Sequence, residues 1–364
     1  MPPEDDIETE LSIGARNPFV YAERKLKETI KWHQMSTEDK HKKIKDAFEV
    51  DTYEEIFDPI HESNLFVGDM RPCNPISDPQ WAPIGLNYTI GTRAYNDPVQ
   101  GDLPDCYLIA ALSSLAFLNM IPAKLTLPAP EPPNTFSFTF YNPPATAPVK
   151  DDVPVKITYN LPLEKPNGIY HYSRSFTAGE IWIAMYEKAY ARWINRLAGT
   201  DSDTPDYKNI CQGDPMFALM NLTGWKFSAT SRFSTLGLSE TQIYDKINAV
   251  CRTSGIYRTT TKPMVAYTYD PRIEPQPITY TDATIVGNHA YSVLGVHTIG
   301  SEKYIVMRNP WGQKDPDSTG LPSGALASGP WYQNANLADP NDACFALKAS
   351  VFKVYFKGFG WIYP

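Results

Sequence analysis

Positive charge is in short supply, with 33 Lys and Arg against 41 Asp and Glu, a net charge of -8 and an isoelectric point near 5.3. A nucleic-acid binder needs a basic face to displace counterions from phosphates, so no nucleic-acid partner is expected. Cysteine is sparse, odd in number and scattered, at positions 73, 106, 211, 251 and 344, with no CxxC pair. That spacing indicates neither a disulfide framework nor a zinc site, and the simplest expectation is a reduced, cytoplasmic thiol protein. Long apolar runs are missing too. The uncharged stretch from Cys106 to Ala123 contains Ser113, Ser114, Asn119 and Pro122 and falls short of the roughly 20 lipid-compatible residues of a membrane span. It reads as a buried helix, and no transmembrane segment is expected. Met1 to Glu10 holds five acidic side chains and no apolar core, which excludes a secretory signal there. Glycine, with 21 residues, is outnumbered by 33 prolines, so long ordered loops are expected to carry much of the function.

What is present suits an α+β protein. At 364 residues and 40.9 kDa the chain exceeds one small core and fits a two-lobed domain with an N-terminal extension. Asn17-Pro18 opens an amphipathic helix bearing Phe19, Ala22, Leu26 and Ile30, and Ser36 to Asp39 resembles a capping box for a second helix. Residues 1–60 therefore read as an acidic tail with a helical extension. After Asp105, CYLIAALSSLAFL turns helical in pattern, and Thr177 to Leu197 is apolar on a wide face. TFSFTFY and VPVKITY suggest a hairpin between proline-bearing turns. Beyond about residue 220 the character changes to strands, in HAYSVLGVHTI, KYIVMRN, CFALKASVFKVYF and FGWIYP. The expected division is a helical part over 61–220 and a β-rich part over 221–364.

Three residues could form a nucleophilic triad, with a fourth as an oxyanion donor. Asp105 is a candidate N-cap that sets Cys106 in the first turn of a helix, where the dipole favours the reactive thiolate. Gln100 lies six residues upstream on a Gly-Asp-Leu-Pro loop that could bring its amide beside the Cys106 N–H, a pair of donors of the kind an oxyanion hole requires. His289 stands at a strand start in GNHAYSVLGV, and Asn309 follows twenty residues later in RNPWG. Taken singly, each has a structural reading: a packed thiol, a core histidine, a turn asparagine. Together, Cys-His-Asn in this order is the papain-like form of the nucleophilic triad, with a separation of 183 positions from 106 to 289.

These segments resemble the calpain-like cysteine peptidases. QGDLPDCYLIAALSSLA is similar to that family's nucleophile motif, Q-G-x-x-G-D-C-W-x-L-A-A-x-x-x-L, and EIWIAMYEKAYAR is similar to its mid-domain helix. NHAYSVLGV, VMRNPWG and DACFALKASVF resemble its histidine, asparagine and closing segments. The likeness runs from about Arg71 to the C-terminus and leaves residues 1–60 uncovered. It implies a papain-like α+β fold whose helical lobe bears Gln100 and Cys106 and whose β lobe bears His289 and Asn309. The implied function is that of an intracellular endopeptidase acting on proteins or peptides through an acyl-enzyme. Cys106 is then the nucleophile, His289 the general base, Asn309 the group that orients it and Gln100 an oxyanion donor. Trp311 shields the His289–Asn309 contact, and Gly101 and Asn288 join it along the substrate cleft.

The chain departs from the family pattern at Pro104 and Tyr107, where Gly and Trp are usual, at Asn288 in place of Gly, and at Cys344 in place of a glutamate. Proline stiffens the loop that carries Gln100. No cofactor is implied as required. Family cores often bind calcium through hard oxygen ligands; here Asp97, Asp315 and Asp342 stand at corresponding places, and weak or absent calcium dependence is expected. The same motifs would also serve a catalytically silent peptide-binding module, or an acyl transferase or amidase using thioester chemistry.

Overall fold

The computed structural model describes residues 70–73, 75, 79–83, 93–121, 135–142, 149–151, 153–164, 169–272, 279–280, 285–312, 320–337 and 342–364. The two helices expected before residue 60 lie outside the described residues. Both helices and sheets are present, and the chain is α+β.

Helix α1 (Cys106–Phe117) is buried at all twelve positions, as an all-round apolar sequence demands. Helix α2 (Trp182–Leu197) begins later than the apolar pattern suggests. Asp97 explains this: its carboxylate accepts from Thr177 Oγ1 at 3.0 Å and its carbonyl from Phe176 N at 2.7 Å, which holds the chain in a turn before the helix. Helix α3 (Pro215–Thr223) has Asp214 as N-cap, with Oδ1 accepting from Met216 N. The expected hairpin forms between Thr135–Phe138 and Val155–Thr158, paired antiparallel.

Among the described residues the largest sheet has nine antiparallel strands: β1 (Arg232–Ser234), β2 (Cys251–Ser254), β3 (Tyr257–Thr260), β4 (Met264–Thr268), β5 (Ala290–Ile299), β6 (Glu302–Arg308), β7 (Leu326–Ala327), β8 (Cys344–Lys348) and β9 (Phe356–Trp361). The main order is β1-β9-β4-β5-β6-β8-β7, with β3 joining β5 and β2 joining β3. CFALKASVFKVYF is not all strand. Its second half forms a helix, Ala349–Tyr355, because Ala349, Phe352 and Phe356 recur at helical spacing, and the last two rings stack at 4.2 Å.

Strand alternation divides the core into two clusters. Val265, Tyr267, Ala290, Leu294, Tyr304 and Val306 pack on the side of α1. Met264, Ala266, Tyr291, Val293, Ile305 and Met307 pack on the other side of the sheet, with Phe345, Phe352 and Phe359. Among the described residues no helix is long and apolar enough to cross a membrane.

Candidate active site

Helix α1 lies across β4 and β5 in a defined register. Ser114 Oγ accepts from Met264 N at 2.8 Å, and Ser292 Oγ donates to Ala110 O at 2.7 Å. From Ser114 back to Cys106 a helix covers about 12 Å, and from Met264 forward to Thr268 a strand covers about 13 Å. Thr268 is hydrogen-bonded to His289, with its backbone N donating to His289 O at 2.9 Å. The two paths run alongside each other, so the Cys106 end of the helix is level with the His289 end of the sheet. Cys106 is fully buried and is not in a disulfide.

His289 and Asn309 are twenty positions apart in sequence, but β5 and β6 form a hairpin that returns the chain to the same end of the sheet. There His289 Nε2 lies 3.0 Å from Asn309 Oδ1. The same oxygen accepts from Trp311 N at 3.1 Å, which identifies it as the amide oxygen. Facing an acceptor, Nε2 must carry the proton, and basicity in the neutral ring then falls to Nδ1. Trp311 also packs against the imidazole, with ring centroids 5.1 Å apart. Tyr291 meets it edge-on at 4.9 Å. Both His289 and Asn309 are fully buried.

Gln100 reaches this end by its backbone, with N donating to Pro310 O at 2.8 Å. Its side-chain Nε2 donates one hydrogen to Leu103 O at 2.7 Å; a primary amide has a second. Gly101 lies so close to Tyr172 that an added Cβ would sit 2.3 Å from its backbone, a close approach that excludes side chains. Asn288 adopts a left-handed conformation with φ 54°, which asparagine tolerates better than most residues, and its N donates to Tyr269 O. Gly312, at φ 71°, has Val99 Cγ2 where a Cβ would be. The departures from the family pattern are accommodated: Pro104 O accepts from Gln212 N at 2.9 Å, and Tyr107 packs its ring over Gly213 and donates its hydroxyl to Ile210 O.

Asp105 occupies the N-cap position of α1, yet its side chain makes no capping hydrogen bond. This corrects the sequence expectation. The reason is Glu187 on α2, whose fully buried carboxyl shares a hydrogen bond with the Asp105 side chain and accepts from Ser173 N at 3.1 Å. Burial pushes the Glu187 carboxyl up to about 7, against the lowering effect of those hydrogen bonds. Two buried carboxyls joined by a hydrogen bond require a shared proton. Sequence reasoning missed Glu187, and also Thr268, whose Oγ1 accepts from His289 N at 2.9 Å and donates to Val286 O at 2.7 Å. Only strand pairing reveals Thr268.

Of the aspartates considered for calcium, the two described ones are engaged by protein donors. Asp97 accepts from Ala94 N, Thr177 Oγ1 and Trp182 Nε1, and Asp342 accepts from Asn336 N and Cys344 N, both at 2.7 Å. Both carboxylates also act on the buried Arg308 guanidinium. Asp315 lies outside the described residues, among which no group of three or more His, Cys, Asp or Glu could hold a metal ion. A second correction concerns the cysteines. Cys73 and Cys211 form a disulfide across a sequence separation of 138, a pairing made by the fold and invisible in the spacing. It removes the cysteine argument for a reducing compartment. Cys251 and Cys344 are not in a disulfide.

A family model described as calpain family cysteine protease matches residues 70–323. Among similar proteins, a thiol protease of Porphyromonas gingivalis is 27% identical over 256 residues, covering 66% of this chain and 49% of its own length. Calpain-8 of Rattus norvegicus is 27% identical over 282 residues, covering 74% of this chain and 33% of its own. Calpain-9 of Homo sapiens is 25% identical over 313 residues, covering 83% and 40%. The chain thus spans half or less of the length of these relatives. With the family model matching well over half of it, the chain belongs to the calpain family of cysteine proteases.

Proposed function

We propose that the chain cleaves peptide bonds within proteins, with Cys106 as nucleophile, His289 as general base, Asn309 as the orienting group and Gln100 as an oxyanion donor. In this reading residues 61–220 and 221–364 form the two lobes of a papain-like core. Substrate lies in the cleft between them along Trp311, Gly101 and Asn288. The observation that carries the reading is the 3.0 Å contact of His289 Nε2 with Asn309 Oδ1, at the end of the sheet level with Cys106.

The chemistry follows from that polarity. With Nε2 protonated toward Asn309, Nδ1 takes the proton of the Cys106 thiol, and the imidazolium and the N-terminus of α1 both favour the thiolate. The thiolate attacks the peptide carbonyl carbon, and negative charge gathers on the carbonyl oxygen. Two donors serve that oxygen: the second hydrogen of Gln100 Nε2 and the backbone N–H of Cys106 at the start of α1. His289 then gives its proton to the leaving amine, leaving a thioester. Water, deprotonated by the same nitrogen, hydrolyses the thioester and restores the thiol. None of these steps requires a metal ion.

The test is release of fluorescent peptides from labelled casein by the wild type, Cys106→Ala and His289→Ala, each with calcium chloride and with a chelator. The reading predicts turnover by the wild type alone, equal in both conditions. Cleavage surviving in Cys106→Ala would refute the assignment of the nucleophile.

A further inference from the structure

Arg71 lies thirty positions before Gly101, yet its Nη1 donates to Gly101 O at 2.7 Å and its Nη2 to Leu103 O at 3.3 Å. Leu103 O is also the acceptor of Gln100 Nε2. One carbonyl therefore receives both a guanidinium N–H and the side-chain amide assigned to the oxyanion hole. We propose that Arg71 is a positioning residue for the oxyanion loop: its guanidinium fixes the carbonyls of Gly101 and Leu103, and through Leu103 O it sets the plane of the Gln100 amide. The inference rests on the function proposed above.

The hydrogen bonds of the loop divide the work. The backbone N–H groups of Gln100 and Asp102 go to Pro310 O and His171 O, and Pro104 O goes to Gln212 N. The two carbonyls between, at 101 and 103, are those that Arg71 reaches, and Leu103 O also accepts from Asp105 N at 2.9 Å. A planar fork with donors on separate nitrogens can hold two carbonyls in a fixed relation, which a single ammonium cannot do. Arg71 is itself anchored. Cys73, two residues on, is bonded to Cys211, whose neighbour Gln212 supports Pro104 O. The segment that supplies Arg71 and the segment that supports Pro104 thus share one covalent tie, and the loop bearing Gln100 is held between them.

A positioning role and a merely structural one differ in what they change. Peptide hydrolysis builds an oxyanion, whereas alkylation of a thiolate by iodoacetamide expels iodide and builds none. The experiment measures kcat and KM on a fluorogenic dipeptide coumarylamide, and the rate of Cys106 alkylation by iodoacetamide followed by peptide mass mapping. The proteins are the wild type, Arg71→Met, Arg71→Lys, Gln100→Ala and the Arg71→Met, Gln100→Ala double variant. Arg71→Met is expected to lower kcat about 10- to 100-fold with KM and alkylation rate within about twofold of wild type. Arg71→Lys should fall between the two. In the Gln100→Ala background, where the positioned group is gone, adding Arg71→Met should change kcat by less than about threefold. The proposal is overturned if Arg71→Met keeps full kcat, if it slows alkylation in parallel with turnover, or if its cost is equal in both backgrounds. A wild type that neither hydrolyses the peptide nor alkylates selectively at Cys106 would instead refute the underlying reading of the site, and the role of Arg71 with it.

Discussion

Asn309 receives two donors on one oxygen, the Trp311 backbone N–H and His289 Nε2. Asn309→Ala removes the acceptor that selects the imidazole tautomer, so kcat should fall about 10- to 100-fold with little change in KM, as steady-state kinetics would show. Thr268 acts one step further back. Thr268→Val keeps the shape of the side chain but leaves the His289 N–H and Val286 O without their partner in a buried site. A loss of about 1–3 kcal/mol in urea unfolding is expected, with reduced turnover. Glu187 gives a pH dependence. Its carboxyl is raised from 4.5 to about 7 by burial, so the native state holds a proton that the unfolded chain releases in between. The stability this contributes is present below about pH 4.5 and is lost as pH rises through the raised value. Unfolding of Glu187→Gln between pH 4.5 and 8 should lack this component, so the variant gains on the wild type as pH rises; a constant difference between the two would contradict it. Of these residues, Cys106, His289 and Asn309 were legible as a pattern of chemistry and order. Thr268 and Glu187 were not, because their roles come from a strand pairing and from the contact of two buried side chains distant in sequence.

At the scale of elements, the site depends on how α1 is fastened to the sheet. Beyond the two serine contacts, Arg308 at the end of β6 sends Nη2 to Pro98 O at 2.7 Å and to Asn96 O at 2.9 Å, tying the segment before Gln100 to the sheet. Arg308 is fully buried, so Arg308→Ala would strand two carbonyls and open a cavity. A loss of at least about 2 kcal/mol in denaturant unfolding is expected. Periodicity made α1 and the strands from 290 to 308 readable, since their apolar residues repeat at the spacing of the structure they form. It failed at Ala349–Tyr355, where β-branched and aromatic residues suggested a strand but the apolar spacing of 349, 352 and 356 served a helix. It also set the start of α2 too early, because the turn at Thr177 is dictated by Asp97, eighty residues away.

For the whole molecule, the described buried residues form two clusters on opposite sides of one sheet, and contacts between segments distant in sequence are ones the sequence does not announce. The motifs around Cys106, His289 and Asn309 carried the family resemblance, and the match over residues 70–323 agrees with it. The Cys73–Cys211 bridge was illegible because nothing local distinguishes either cysteine from a packed thiol. The central claim is that Cys106 is an activated nucleophile assembled with His289. Intact mass after brief exposure to a peptidyl epoxide tests it most directly, on the wild type, Cys106→Ala and His289→Ala. The account predicts one adduct on the wild type, none on Cys106→Ala, and modification at least about 100-fold slower in His289→Ala. Equal labelling of His289→Ala, or an adduct on Cys251 or Cys344 in place of Cys106, would contradict it.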